Sequence, residues 1–192
     1  MGAPIWITGN YDVENNIAYW STGNAAPWPG VLRPGDVASG ILGAVVSQQL
    51  STHAADAIAR KLQAAALTDP SAIAAASDEA LRACGLSAPK IRYLRGISAA
   101  GLDFDALAAL PDDEVIAILT ALPGIGRWTA EIYLMFALGR ADAFAAGDLA
   151  LQEAARMMFD LPARPTPAAL IEMAEPWRPW RSVAARALWA WM

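Results

Sequence analysis

Two short stretches of this chain combine residue types and spacing that could do chemistry: Leu122-Pro-Gly-Ile-Gly-Arg-Trp-Thr-Ala130 and, downstream, Gly147-Asp148. In the first, two glycines let the backbone turn tightly and leave N–H groups uncovered at the start of a helix, where unpaired amides attract an anion. The second supplies a carboxylate, which can stabilise positive charge developing on a nearby carbon and orient an attacking water. Asp148 also reads as an ordinary helix cap, and one side chain can serve both purposes. Other reactive side chains are scarce, with one histidine and one cysteine. His53 stands isolated and reads as solvated or capping. Cys84 has no partner for an internal disulfide and too few companions for an iron–sulfur cluster, so it reads as a small buried side chain at a helix end. No side-chain cluster has zinc spacing.

The elements that must hold these stretches are helices. Before the turn, residues 111–119 open with proline and acids and carry apolar residues at helical spacing. After it, Trp128, Ile132, Met135 and Phe136 recur on one side of a second helix that ends near Gly139. The rest predicts a helix or helix pair over 41–67, one capped by Ser77 and stopped at Gly85, short ones over 89–100 and 104–109, then 148–158, one from Thr166 with Pro167 in its first position, and 180–191. With 192 residues, 56% of them hydrophobic, the chain can bury one sizeable core. No repeat of solenoid length is evident. Neither a membrane-spanning apolar run nor a basic, then apolar leader is visible, so a cytoplasmic protein that does not enter membranes is expected.

Residues 1–36 read differently from 37–192. Aromatic and β-branched residues in Ile5-Trp-Ile-Thr-Gly-Asn-Tyr-Asp12 and Asn16-Ile-Ala-Tyr-Trp-Ser-Thr22 flank an Asp/Asn-rich turn, which predicts a β-hairpin. The formal charge of −5 opposes binding to a polyanion. Locally, Arg127, Arg140, Arg156, Arg178, Arg181 and Arg186 populate the half that contains the glycine turn, and backbone amides add attraction that no charge count records.

The turn, together with Val46-Ser-Gln-Gln-Leu-Ser51, Gly85-Leu-Ser87 with Lys90 and Tyr93-Leu94, and Trp177-Arg-Pro-Trp-Arg-Ser182, resembles the helix-hairpin-helix superfamily of base-excision DNA glycosylases, most closely the bacterial 3-methyladenine DNA glycosylase II branch. The resemblance covers roughly residues 40–192. It implies an all-α, two-lobed fold with a cleft, preceded here by the short β-hairpin. It also implies a monofunctional enzyme that flips alkylated, cationic bases from double-stranded DNA and hydrolyses the N-glycosidic bond, with Asp148 as the catalytic carboxylate.

Trp128, Ile132 and Trp180 match pocket positions, Ile132 standing where the family has a tyrosine, and both Ile132 and Trp180 also read as plain core residues. Trp128 occupies the position at which strand-cutting relatives carry a Schiff-base lysine, so no lyase step is expected. An indole there could attract a cationic base, or could simply pack between helices. No second acid is visible, which suits a leaving group that already carries positive charge. Gln48, Gln49, Gly124, Ile125, Gly126, Arg127 and Thr129 match DNA-binding positions. Gln49 is the preferred wedge into the duplex, although both glutamines could instead bond within a helix junction. The carbonyls of Thr120, Leu122 and Ile125 match a site for structural Na+ or K+; no other cofactor is implied, and a monomer is expected. The alternative from another class is a DNA-binding module that keeps the hairpin and has lost turnover.

The first 36 residues, including Thr22-Gly-Asn-Ala-Ala-Pro-Trp28 and Arg33-Pro-Gly-Asp36, resemble one propeller-blade segment of pyrroloquinoline-quinone-dependent alcohol dehydrogenases. There the position matching Trp6 stacks on the quinone and that matching Asn24 ligates calcium. The activity does not carry over, because a propeller needs many blades and this stretch supplies less than one. A chimeric chain is the expectation.

Overall fold

The computed structural model of the protein describes residues 9–12, 17–20, 37–50 and 52–191. Strands β1 (Gly9–Asp12) and β2 (Ile17–Trp20) pair antiparallel, with Gly9 opposite Trp20 and Asp12 opposite Ile17. The positions Trp6 and Asn24 lie outside the described residues.

From Val37 onward the regular elements are helical. They are α1 (Val37–Ser47), α2 (Thr52–Ala64), α3 (Pro70–Ala75), α4 (Asp78–Ala83), α5 (Ala88–Ala99), α6 (Phe104–Leu107), α7 (Asp112–Thr120), α8 (Arg127–Phe136), α9 (Leu149–Met158), α10 (Pro167–Ala174) and α11 (Arg181–Trp191), with a 3-10 turn at Glu175–Trp177. Many of the starts are set by side chains: Asp69, Ser77, Asp103, Asp148 and Thr166 each accept the amide N–H three residues on. Cys84 is buried at the end of α4. The apolar run over 41–67 resolves into two helices, because the chain turns at Gln49, whose φ of +57° no helix can accommodate. Helix α3 escapes a periodicity argument because six residues are too few to show one, although Asp69 and Pro70 form a start signal.

Helix α8 holds the centre. Its residues Thr129, Ala130, Glu131, Ile132, Tyr133, Leu134 and Met135 are all buried, where the sequence suggested a single apolar stripe. Two of its polar members are partnered, Glu131 taking a hydrogen bond from Arg127 at 2.8 Å and Thr129 Oγ1 accepting one from Gln48 at 2.9 Å, while the buried Tyr133 hydroxyl has no partner among the described residues. Desolvation raises the Glu131 pKa despite the arginine. Around α8 pack α1 and α7; α1, α3 and α4 gather on α5, and α10 and α11 gather on α9. Leu151, Ala154 and Ala155 of α9, Leu170 of α10 and Ala185 and Leu188 of α11 belong to one continuous core.

Candidate active site

Asp148 is half-buried at the start of α9, and three donors converge on its carboxylate. Oδ1 accepts the Leu151 N–H at 2.7 Å and the Trp189 Nε1–H at 3.0 Å; Oδ2 accepts the Trp128 Nε1–H at 2.9 Å. A carboxylate offers about four lone-pair directions, so the one left open is on Oδ2. The two indoles come from α8 and α11, and neither can bond elsewhere through nitrogen while it holds Asp148. Trp189 is itself fixed, stacked on Phe136 with ring centroids 6.0 Å apart, while the Arg186 guanidinium lies 4.6 Å above the same Phe136 ring.

The connection from α8 to α9 is stitched on several sides, which keeps Asp148 in place. Arg140 donates to the carbonyls of Ala108 and Leu110, both at 2.8 Å, tying the exit of α8 to the entry of α7. Asp142 accepts two bonds of 2.8 Å from Arg181 and one of 2.7 Å from Arg178. The hydrogen bond from Arg181, reinforced by its charge, holds the Asp142 carboxyl below the usual carboxylate range. Ser182 Oγ lies 2.6 Å from the carbonyl oxygens of Arg140 and Ala143, and Gln152 Nε2 donates to Ala146 O at 2.8 Å. The start of α11 and the loop carrying Asp148 are thus fastened to each other before the chain reaches Trp189.

The glycine turn lies between α7 and α8. Gly124 has φ +80°, and a Cβ there would fall 2.3 Å from the Tyr93 ring, so Tyr93 of α5 seats the turn directly. Ile125 is buried beneath it. Gly126 precedes α8 in an extended conformation with no side-chain cap, leaving the first amides of α8 to an outside acceptor. Gln48 Nε2 spans from the end of α1 to the turn, donating to Gly124 O at 3.0 Å as well as to Thr129.

A family model described as "HhH-GPD superfamily base excision DNA repair protein" matches residues 42–179. The chain belongs to the HhH-GPD superfamily. DNA-3-methyladenine glycosylase 1 of Schizosaccharomyces pombe is 35% identical over 158 residues, spanning 78% of this chain and 69% of that protein. The solved structure of the S. pombe 3-methyladenine DNA glycosylase Mag1 in complex with abasic DNA superposes with a TM-score of 0.76 at 33% identity, covering 87% of this chain and 85% of that one. A DNA-3-methyladenine glycosidase from Bacillus halodurans gives 0.69 at 32% identity, covering 92% and 80%. Separately, a quinoprotein alcohol dehydrogenase of Pseudomonas putida, PedH, is 54% identical over 35 residues, which are 18% of this chain and 6% of that protein.

Several expected site residues of this HhH-GPD protein sit differently from the sequence reading. Ile132 is 1% exposed in the core and presents no wall to a ligand, because α8 is covered on that side as well. Trp180 is 55% exposed ahead of α11. The C-terminal aromatic that reaches Asp148 is instead Trp189. Its signal was spacing: Ser182, Ala185, Leu188 and Trp189 mark the buried face of α11, and Trp180 precedes it. The side chains of Ile125 and Thr129 are buried, so only their backbone groups can meet DNA. The arginine-rich half is not a free basic face, since Arg127, Arg140, Arg156, Arg178 and Arg181 all pair with acids interleaved in the same half. Gln48 takes the junction role, whereas Gln49 is exposed on its left-handed turn.

Proposed function

We propose that this HhH-GPD protein is a monofunctional DNA glycosylase that extrudes alkylated, cationic bases such as 3-methyladenine from duplex DNA and hydrolyses the N-glycosidic bond. The observation that carries the proposal is the Asp148 carboxylate, held by two indole N–H groups and one amide with a lone pair of Oδ2 left open. As the base departs, C1′ gains positive character; the open lone pair of Oδ2 faces that charge or holds the water whose oxygen bonds to C1′. The base leaves with the electrons of the broken C–N bond. An alkylated cationic purine becomes neutral on leaving, so no general acid is needed, and the hydrogen-bond partners of Asp148 include no carboxyl group.

The electron-rich face of Trp128, oriented by its bond to Asp148, favours a cation over a neutral base by up to about 2 kcal/mol once water is excluded. No amine occupies position 128, so the reaction ends at the abasic site without strand cleavage. Gly147 is exposed, and a Cβ there would meet nothing within 4 Å, which leaves room beside the carboxylate for an extruded nucleotide. Exposed Gln49 serves as the wedge, and its left-handed backbone is a cost retained where a side chain must project. The uncapped amides of α8 clamp a phosphate of the damaged strand. For the structural Na+ or K+, Thr120 offers only its carbonyl, because its hydroxyl is turned back to Ile116 O at 2.7 Å. Leu122 O already accepts the Ile125 N–H. Neutral carbonyl oxygens of this kind suit a hard cation of low charge.

Incubation of the protein with methylated duplex, followed by detection of free base, tests the proposal. Wild type is expected to release 3-methyladenine, and Asp148→Asn to lose at least about 100-fold of that rate while still binding duplex. Duplex binding by folded wild type with no base released would leave the non-catalytic module standing in its place.

A further inference from the structure

A cavity of about 180 Å³ opens beside Gln49, away from Asp148 in the sequence and untouched by the reaction described above; its walls include Gln48, Gln49, Ile58, Gly85, Ser87 and Lys90. We propose that it is a second phosphate site, which takes a backbone phosphodiester of the duplex next to the wedge. This inference rests on the DNA-binding reading above.

Lys90 carries the argument through a contrast. Five of the six arginines expected to face DNA are bound to carboxylates of the fold, whereas Lys90 forms no ion pair among the described residues. Its ammonium gives one hydrogen bond, to Val46 O at 2.5 Å, and two further N–H donors remain. Ser87 supplies the second donor. It stands at the cap position of α5 without capping it, unlike Asp69, Ser77, Asp103, Asp148 and Thr166, so its hydroxyl is available to a ligand.

None of the wall residues is acidic. An ammonium, a hydroxyl and the Gln49 amide around a space without a carboxylate select an anion. Place identifies the anion. Gln48 lines this cavity and also donates to Gly124 and Thr129 of the hairpin turn, so a duplex seated on the turn brings its backbone to the cavity mouth. Burial pulls the Lys90 pKa below the ordinary lysine value, a cost that a neighbouring phosphate would reverse.

Two variants test the site by titrating a fluorescent duplex that contains an abasic analogue at several salt concentrations. Ser87→Asp puts a carboxylate into the cavity at a cap position where aspartate is favoured, so its melting temperature should hold or rise. Its duplex affinity should fall at least about tenfold, and the slope of log K against log salt should become shallower by about 0.9, the value for one phosphate contact. Lys90→Gln keeps a donor for Val46 O while removing the charge, and should show the same change in slope with a smaller loss. Unchanged affinity and slope in a folded Ser87→Asp protein would overturn the second site while leaving the glycosylase reading intact. Failure of wild type to bind the duplex would overturn both.

Discussion

The turn over residues 121–126 holds its shape through main-chain geometry, while the cup around Asp148 is made of side chains drawn from α8, α9 and α11. In the turn, Gly124 takes a conformation other residues avoid and Gly126 leaves amides open, and the side chains that support it are few: Ile125 and Tyr93 packing underneath and Gln48 bonded to the Gly124 carbonyl. In the cup, each side chain has a nameable atom with a nameable partner. The two meet at Trp128, which is the second residue of α8 and also a donor to Asp148. The difference teaches that the turn should tolerate many side-chain changes and few changes of backbone, and the cup the reverse.

Substitutions that add a single methyl to the turn should break this contrast most sharply if it is wrong. In Gly124→Ala the new Cβ has nowhere to go, being 2.3 Å from the Tyr93 ring at a φ of +80°. We expect about 3 kcal/mol of destabilisation in urea unfolding, from strain and overpacking together, with duplex binding lost as well. A protein as stable as wild type would refute the assignment of the turn to main-chain geometry. Within the cup, Trp189→Phe and Trp128→Phe each keep an aromatic ring and remove one N–H from Asp148. A hydrogen bond to a charged group contributes about 1.5–3 kcal/mol, so single-turnover base release should slow by roughly 10- to 100-fold in each. Rates within twofold of wild type would show that the indole nitrogens do not position the carboxylate.

Asp142 sharpens the comparison from outside the cup, because it fastens the start of α11 to the loop that carries Asp148. Its pKa is depressed below the ordinary 3.8, so its stabilising effect is full above that value and is lost as pH falls through the depressed pKa. Asp142→Asn should therefore be less stable than wild type by about 1–2 kcal/mol at pH 7, and the two should converge as pH falls below the depressed Asp142 pKa. A constant gap across pH would exclude the carboxylate as the cause. The smallest effect on stability belongs to Gly126→Ala. Nothing lies within 4 Å of the added methyl, and the backbone is extended, so the melting temperature should stay within a degree or two while duplex affinity drops. A drop in stability without a drop in affinity would mean that the open space serves packing and not a ligand.

The helices around the turn, the cap at Asp148 and the proline start of α10 were legible because each rests on residues a few positions apart. The split of 41–67 was left open, since both outcomes share one apolar pattern and the deciding φ at Gln49 is a backbone property. Pocket residues were harder. Ile132 and Trp180 were chosen by position along the sequence, while burial of α8 on every side and the facing of α11 depend on what packs against them. The arginines misled for a similar reason: composition shows positive charge in one half of the chain, and only proximity shows that Asp112, Glu131, Asp142 and Glu153 consume it.

By itself the sequence determined a helical chain with an anion-ready turn and a capped aspartate downstream, because glycine conformation, helix periodicity and capping act over a few residues. Tertiary structure alone decided that Trp189 and Trp128 meet on that aspartate and that Gln48 ties the end of α1 to the turn. These contacts join residues 41, 20 and 76 positions apart, and so distant a pair is fixed by how whole helices pack and by no local preference of the chain.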